Sequence, residues 1–328
     1  MLTKTSFVLA GLFLTLGACA TPRHADGEKY YLIATNIKVP YWQTAFAGLG
    51  KAANQMGVKV ELTGPNTYDP KAQQAEMERV IGSKPAGILL SAGDPKLMQS
   101  VINRAIESGI PVITIDSDAD ASKRLVFVGT DNYKAGTMGG QRLVKELNGK
   151  GNVVVFTMPE QMNLYQRLHG YQDALAEHPQ IKIVKTVDVK GDPRIAFDST
   201  GTILGEGSGK VDAFVCLEAL ACPEVSEVLS RNRVLHKVVI AMDTDPRTLE
   251  GIEKGTITAT IGQKPFTMTF YALKMLDDLH HNPLQPLDGN WASKPFSQIP
   301  QFVDTGATLI DKSNVASFLK ARDAETKN

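Results

Sequence analysis

Charge of one sign is missing from this sequence, since 35 Lys and Arg stand against 35 Asp and Glu in 328 residues. A balanced chain lacks the field that polyanions and anionic membranes select, so nucleic acid is not expected as a partner. Cysteine is scarce, with three in the chain, and a chain of this length builds its core without disulfide or metal staples. Low-complexity segments are absent, and 43% hydrophobic with 21% charged residues argue for an ordered globular protein. Catalytic signatures are missing too: there is no Gly-x-Ser-x-Gly elbow and no His-Glu-x-x-His. The run Gly205 to Lys210 fails as a phosphate loop, because Leu204 stands where its first glycine belongs and Val211 where its hydroxyl belongs. It reads as a turn between helix and strand. His280 and His281 adjoin, so they do not face one site as an i, i+4 pair would.

What is present begins with a targeting segment. Lys4 supplies a positive start, Phe7 to Leu16 an apolar run too short to span a bilayer, and Leu16-Gly17-Ala18 small residues before Cys19. The arrangement resembles a bacterial lipobox, which implies a signal peptide over 1–18, lipidation of Cys19 and a linker over 19–28. An ordinary signal peptide cut nearby is the alternative. Cys216 and Cys222 remain, six positions apart; in an oxidising compartment they fit either a disulfide, if the backbone turns between them, or two buried thiols. No residues are assigned to a metal, since neither Cys-x-x-Cys nor histidines at ligand spacing accompany the pair.

Ten short runs rich in β-branched residues recur, at 31–34, 58–62, 87–90, 111–115, 126–128, 153–156, 181–184, 213–215, 238–241 and 258–261. Most are separated by segments of helical periodicity, such as Trp42, Phe46, Leu49, Ala53 and Met56. Alternating strand and helix imply parallel sheets covered on both faces. Ten strands exceed one comfortable small sheet, and the pattern changes character near Gly129-Thr130-Asp131-Asn132, which places a domain crossing close to residue 130. The Gly- and Pro-rich stretch from Asn282 to Pro300 reads as an ordered loop because Trp291, Phe296 and Phe302 lie within or beside it.

Several strands run out into polar residues, the place where α/β sheets hold ligands. Tyr41 and Trp42 follow the first strand, Asp116 the fourth, Glu218 the strand at Phe214, and Asp243 the strand ending at Ala241. Carboxylates accept from hydroxyls and aromatic rings offer apolar faces to C–H groups, a combination suited to a sugar or polyol.

Three stretches carry a family resemblance: Val112 to Asp116, Ile240 to Pro246, and the run Ile252 to Pro265 (Ile-Glu-Lys-Gly-Thr-Ile-Thr-Ala-Thr-Ile-Gly-Gln-Lys-Pro). They look like the ribose- and galactose-binding proteins of bacterial ABC importers, the type I periplasmic binding proteins, over roughly residues 29–320. The resemblance implies two doubly wound parallel-sheet α/β domains joined by a three-crossing hinge. One lobe would comprise 29–130 plus 264–300 and the other 131–263 plus 302–328, with Val303-Asp304-Thr305-Gly306 as the third crossing. It further implies a ligand shell of Tyr41 and Trp42, sandwiching a sugar ring, with Asp116, Arg167, Asp243 and Gln263; Glu218 is added from its strand end. No cofactor is implied. The expected molecule is a monomer, lipid-anchored in the periplasm or at the cell surface, that captures a small hydroxylated solute and passes it to an ABC permease and ATPase complex.

Departures from the pattern matter. Ser117 stands where ribose binders often have Arg, Val39 where an Asn is expected, and Glu218 where an Asn often follows, while Asp192 is an additional acid. One donor fewer and more acceptors put ribose itself in doubt. Each residue also has a plainer reading: a core staple for Tyr41 and Trp42, helix caps for Asp116 and Asp243, a solvent-facing partner for Arg167, and a turn residue for Asp192. Two other functions fit the same features, a ligand-sensing subunit for a chemoreceptor or sensor kinase and a glycoside-processing enzyme using cleft carboxylates. A sugar-sensing repressor would share the core, but only 29 residues precede the first strand, too few for its DNA-binding domain.

Overall fold

A computed structural model describes residues 24–325 apart from 26, 235, 288–290, 292 and 293. The expected signal peptide, Cys19 and the first part of the linker lie outside the described residues. Strand and helix alternate as β1 (Lys29–Ile33), α1 (Pro40–Met56), β2 (Lys59–Thr63), α2 (Pro70–Gly82), β3 (Gly87–Leu90), α3 (Pro95–Glu107), β4 (Val112–Ile115) and β5 (Val126–Gly129). The chain continues through α4 (Asn132–Glu146), β6 (Gly151–Thr157), α5 (Met162–Ala176), β7 (Ile181–Asp188), α6 (Pro193–Gly205), β8 (Ala213–Cys216), α7 (Ala221–Arg231), β9 (Val238–Met242), α8 (Pro246–Lys254) and β10 (Ala259–Gly262). It ends with α9 (Pro265–His281), β11 (Phe302–Asp304), β12 (Thr308–Asp311) and α10 (Val315–Glu325).

The β-branched runs become strands because both faces of each sheet are covered by helices. Every residue of β3, β4, β5, β8 and β10 is buried. Helices start where the sequence provides caps: Asp69, Asp94, Asp192 and Asp245 each accept from a backbone N–H of the first turn, and each is followed by a proline that needs no donor there. Asp192, a turn residue in its plainer reading, is a helix cap ion-paired with Arg194. The Gly205 to Lys210 run closes α6 and turns into β8, with no phosphate-loop geometry.

Two six-stranded sheets result, in the orders β11-β5-β4-β3-β1-β2 and β12-β10-β9-β8-β6-β7. The orders superpose element for element, so β4 of one lobe corresponds to β9 of the other. Each sheet has its own core, centred on Leu32, Ile88 and Ile113 in the first and on Val154, Phe214 and Ile240 in the second. All pairings are parallel except β12 with β10, which is antiparallel.

Three connections join the lobes, after β5, after β10 and between β11 and β12. They brace one another: Thr305 N donates to Gly129 O at 2.8 Å and Asp131 N to Asp304 Oδ1 at 3.1 Å. One boundary is corrected. Residues 302–304 were expected in the second lobe, but β11 pairs in parallel with β5 of the first, with Phe302 stacked on Phe127. The third crossing therefore begins after Asp304.

Candidate functional site

The carboxyl ends of β1, β4, β6, β8, β9 and β10 face one another across the gap between the lobes. The cavity there is lined by Tyr41, Trp42, Asp116, Arg167, Glu218, Asp243 and Gln263, with Tyr68, Met158, Gln161, Asn163 and Gly191 among its other walls. Its empty volume is about 570 Å³, including space open to solvent at its mouth. The structure thus brings all seven candidate residues into one cavity.

Asp116 and Asp243 occupy equivalent places, one residue past β4 and β9. Both adopt left-handed backbone, at φ 60° and 68°, a conformation that costs energy for a residue with a Cβ. Neither caps a helix; Asp245 caps α8, so that plainer reading fails for Asp243, and no helix begins directly after Asp116. Asp116 accepts from Tyr41 Oη at 2.9 Å and from Ser91 Oγ at 3.0 Å. Asp243 accepts from Gln263 Nε2 at 2.9 Å. Burial raises the Asp116 carboxyl above its ordinary value, with the Arg167 charge opposing. Burial likewise pushes Asp243 to about 6, against the opposing pull of Arg167.

Arg167 is not solvent-facing; it is 2% exposed. Its Nε donates to Asn132 Oδ1 at 2.9 Å and its Nη1 to the Leu217 carbonyl at 2.7 Å, while Nη2 has no protein partner. Two anchored nitrogens fix the plane of the fork and leave the third aimed away from any protein acceptor. Gln263 is the complement: its amide nitrogen is engaged and its Oε1 is buried without a donor. Arg167 reaches the cavity because α5 lies against α4 at glycine distance. A Cβ on Gly136 would stand 2.1 Å from the Arg167 carbonyl oxygen, and one on Gly170 2.2 Å from that of Tyr133.

Glu218 has two tasks. Its Oε2 accepts from Leu220 N and its Oε1 from Ala221 N, each at 2.7 Å, so it closes the start of α7 while lining the cavity. Burial nonetheless raises it to about 7. A disulfide between Cys216 and Cys222, with Cα atoms 5.6 Å apart, ties the two ends of this loop together. Of the two states open to the cysteines, the structure has the bonded one.

The aromatic pair departs from expectation. Tyr41 and Trp42 meet edge to face, at an interplanar angle of 80° with centroids 5.1 Å apart, and so do not form the parallel walls of a sandwich. Trp42 is also part of the first lobe's core. Tyr68, from the segment between β2 and α2, crosses the gap instead. Its hydroxyl donates to Gly93 O at 2.7 Å in its own lobe, while its ring packs against the second lobe's core. A Cβ on Gly191 of that lobe would stand 2.3 Å from Tyr68 Cβ, and Gly191 has φ 71°, so glycine is required twice over.

Residues 30–282 match the periplasmic binding protein domain. The chain belongs to the periplasmic binding protein family. This periplasmic binding protein is 24% identical over 292 residues to the ribose import binding protein of Bacillus subtilis (strain 168), covering 86% of this chain and 92% of the relative. It is 24% identical over 295 residues to the D-allose-binding periplasmic protein of Escherichia coli (strain K12), covering 86% and 93%. Among solved structures, an arabinose binding protein from Geobacillus stearothermophilus shares 32% identity at a TM-score of 0.73, over 89% of this chain and 99% of that one. A solute-binding protein from Burkholderia graminis, in complex with D-arabinose, shares 29% at a TM-score of 0.80, over 90% and 98%.

These matches establish the type I periplasmic binding protein fold with its two parallel-sheet lobes. They make the chain a binding protein and not an enzyme, which sets aside the glycoside-processing alternative. Within this periplasmic binding protein, Tyr68, Asn132, Gln161 and Asn163 escape a reading of the sequence. Asn132 holds Arg167 in place, and the last two line the cavity from the start of α5. The corresponding position in the first lobe, the start of α1, carries Tyr41 and Trp42, and that internal correspondence is the signal that points to Gln161 and Asn163.

Proposed function

We propose that this chain is the extracytoplasmic receptor of an ABC importer and captures a monosaccharide or closely related polyol by closing its two lobes. One observation carries the reading: Arg167 Nη2, a donor, and Gln263 Oε1, an acceptor, are buried without protein partners on the walls of a cavity that also holds three carboxylates. A hydroxyl both donates and accepts, so a ring bearing several hydroxyls satisfies this set, whereas an apolar ligand would leave each group unpaired. The relatives' ligands, ribose, D-allose and arabinose, fall in the same chemical class.

A thermal-shift screen over pentoses, hexoses, polyols and amino sugars should find a ligand that raises the melting temperature. For that ligand, Trp42→Ala, Asp116→Ala and Asp243→Ala should each weaken binding; unchanged affinity in all three would place the site elsewhere. Import is tested by uptake of the same labelled sugar in cells with and without the gene. The lipid anchor at Cys19 is tested by fractionation, where Cys19→Ala should leave the membrane; retention like that of the unaltered chain would count against it.

A further inference from the structure

Four side chains with no part in the cleft meet at the other end of the first lobe, where the chain enters β1 and α9 ends. His24, Glu28, Asp277 and His281 each bring one ligating atom to within 4.8 Å of all the others. His24 Nε2 lies 3.0 Å from Asp277 Oδ1, and His281 Nε2 lies 3.3 Å from the Glu28 carboxylate. Asp277 and His281 are four positions apart in the last turns of α9 and share a face of the helix.

The hydrogen bonds fix the protonation pattern. His281 Nδ1 is 2.9 Å from the main-chain oxygen of Asp277. A carbonyl only accepts, so Nδ1 carries a proton, and the neutral form of the ring presents a lone pair at Nε2. That lone pair faces Glu28, whose carboxylate also only accepts and whose Oε2 is buried without a hydrogen-bond partner. With the ring in that form two acceptors stand 3.3 Å apart, and a positive centre between them, a metal ion or a second ring proton, relieves the repulsion.

We propose that these four residues bind a divalent transition metal of the zinc class, which fastens the segment ahead of β1 to the end of α9. Two imidazoles and two carboxylates form a ligand set that zinc accepts, and a tetrahedral ion with bonds of about 2.0–2.2 Å holds its ligand atoms roughly 3.3–3.6 Å apart. The 3.3 Å separation falls in that range and the 3.0 Å one just below it, and the four ligand atoms, all within 4.8 Å of one another, would draw in around the ion. The surroundings are those of a metal site as well. His281 donates its other ring N–H to a backbone carbonyl, and Tyr30 Oη donates to Asp277 Oδ1 at 2.9 Å, which orient both ligands. Spacing along the chain does not reveal the site, because His24 and Asp277 are 253 positions apart and the adjacent His280 distracts from the Asp277–His281 pair.

The test uses full-length protein carrying no polyhistidine tag, equilibrated with Zn²⁺ and assayed for bound metal. About one zinc per chain is expected, and Co²⁺ in its place should show the visible absorption of a four-coordinate nitrogen and oxygen site. Zn²⁺ should raise the melting temperature and a chelator should reverse it. The His24→Ala/His281→Ala double variant should lose the ion while keeping the circular dichroism of the unaltered chain. Tyr30→Phe, which leaves all four ligand side chains in place and removes the hydrogen bond to Asp277 Oδ1, should weaken zinc binding by roughly 10- to 100-fold. No stoichiometric zinc in the unaltered chain, or undiminished binding by the double variant, overturns the proposal. Absence of zinc together with a doubly protonated His281 ring in nitrogen NMR would identify the positive centre as a proton.

Discussion

Arg167 opposes the buried charge of Asp116, Asp243 and Glu218 together. Burial holds Asp243 at about 6 and Glu218 at about 7, against 3.8 and 4.5 in the absence of the fold. Between those limits the folded chain retains protons that the unfolded chain has released. The two acids contribute their full stability below about pH 4 and lose it as pH rises through the folded values, by up to about 1.4 kcal/mol per pH unit each. Asp311, held at about 2 by Arg142, titrates below that window and does not mask it. The unliganded chain is therefore expected to melt higher at pH 5 than at pH 8, and Asp243→Asn, which cannot ionise, should narrow the difference. Ligand hydroxyls reverse the preference, because donors stabilise the carboxylate. Binding should release protons at pH 6, seen by calorimetry in two buffers of different ionisation heat, and affinity should rise from pH 5 to pH 8. Arg167→Lys keeps the charge and loses the fixed fork, so it should cost roughly 10- to 100-fold in affinity. At this scale the strand-end acids were legible because the end of a parallel strand is a defined place. Asn132 was not, since a polar residue after Asp131 reads as an ordinary helix start.

Helices and loops set how far such residues reach. The contact of α4 with α5 is built on Gly136, Gly139, Gly140 and Gly170, and α5 carries Arg167. Gly136→Ala must push the helices apart, because its Cβ would meet main-chain atoms that do not rotate away. A loss of about 1–3 kcal/mol in denaturant unfolding is expected, with weaker ligand binding. Gly201→Ala on exposed α6, where the added Cβ meets nothing within 4 Å, should be neutral or stabilising. The Cys216–Cys222 bridge closes a short loop carrying Glu218, and replacing both by serine should cost about 2 kcal/mol and lower affinity as well. The ten strands β1 to β10 could be read from their β-branched runs, which burial demands in β3, β4, β5, β8 and β10. β11 and β12 could not: they are edge strands of three and four residues, partly exposed, and pair with strands far back in the sequence. Assigning 302–304 to the wrong lobe followed from that, since only the distant partner β5 determines where the segment belongs.

Across the whole molecule, the lobes are equivalent in topology but not in how they meet. Three short connections brace one edge of the gap, and Tyr68 resting on Gly191 spans it elsewhere. In the proposed closure, a ligand that fills the cavity would favour the closed arrangement through contacts to both lobes, and Tyr68 would add a lobe-to-lobe contact to that sum. Removing the ring should leave entry into the open form untouched, because Tyr68 need not contact the second lobe at that stage. It should instead destabilise the closed, loaded form and hasten release. Tyr68→Ala is therefore expected to raise the dissociation rate by roughly tenfold, a change of about 1.4 kcal/mol, with the association rate nearly constant. Tyr68→Phe keeps the ring on Gly191 but loses the hydroxyl's bonds to Gly93 O and to Gln161 of the second lobe, so its release rate should lie between those of the unaltered chain and Tyr68→Ala. Stopped-flow measurement of both rates separates the cases: a slowed association with unchanged release would mean that Tyr68 shapes the entrance and not the closed state.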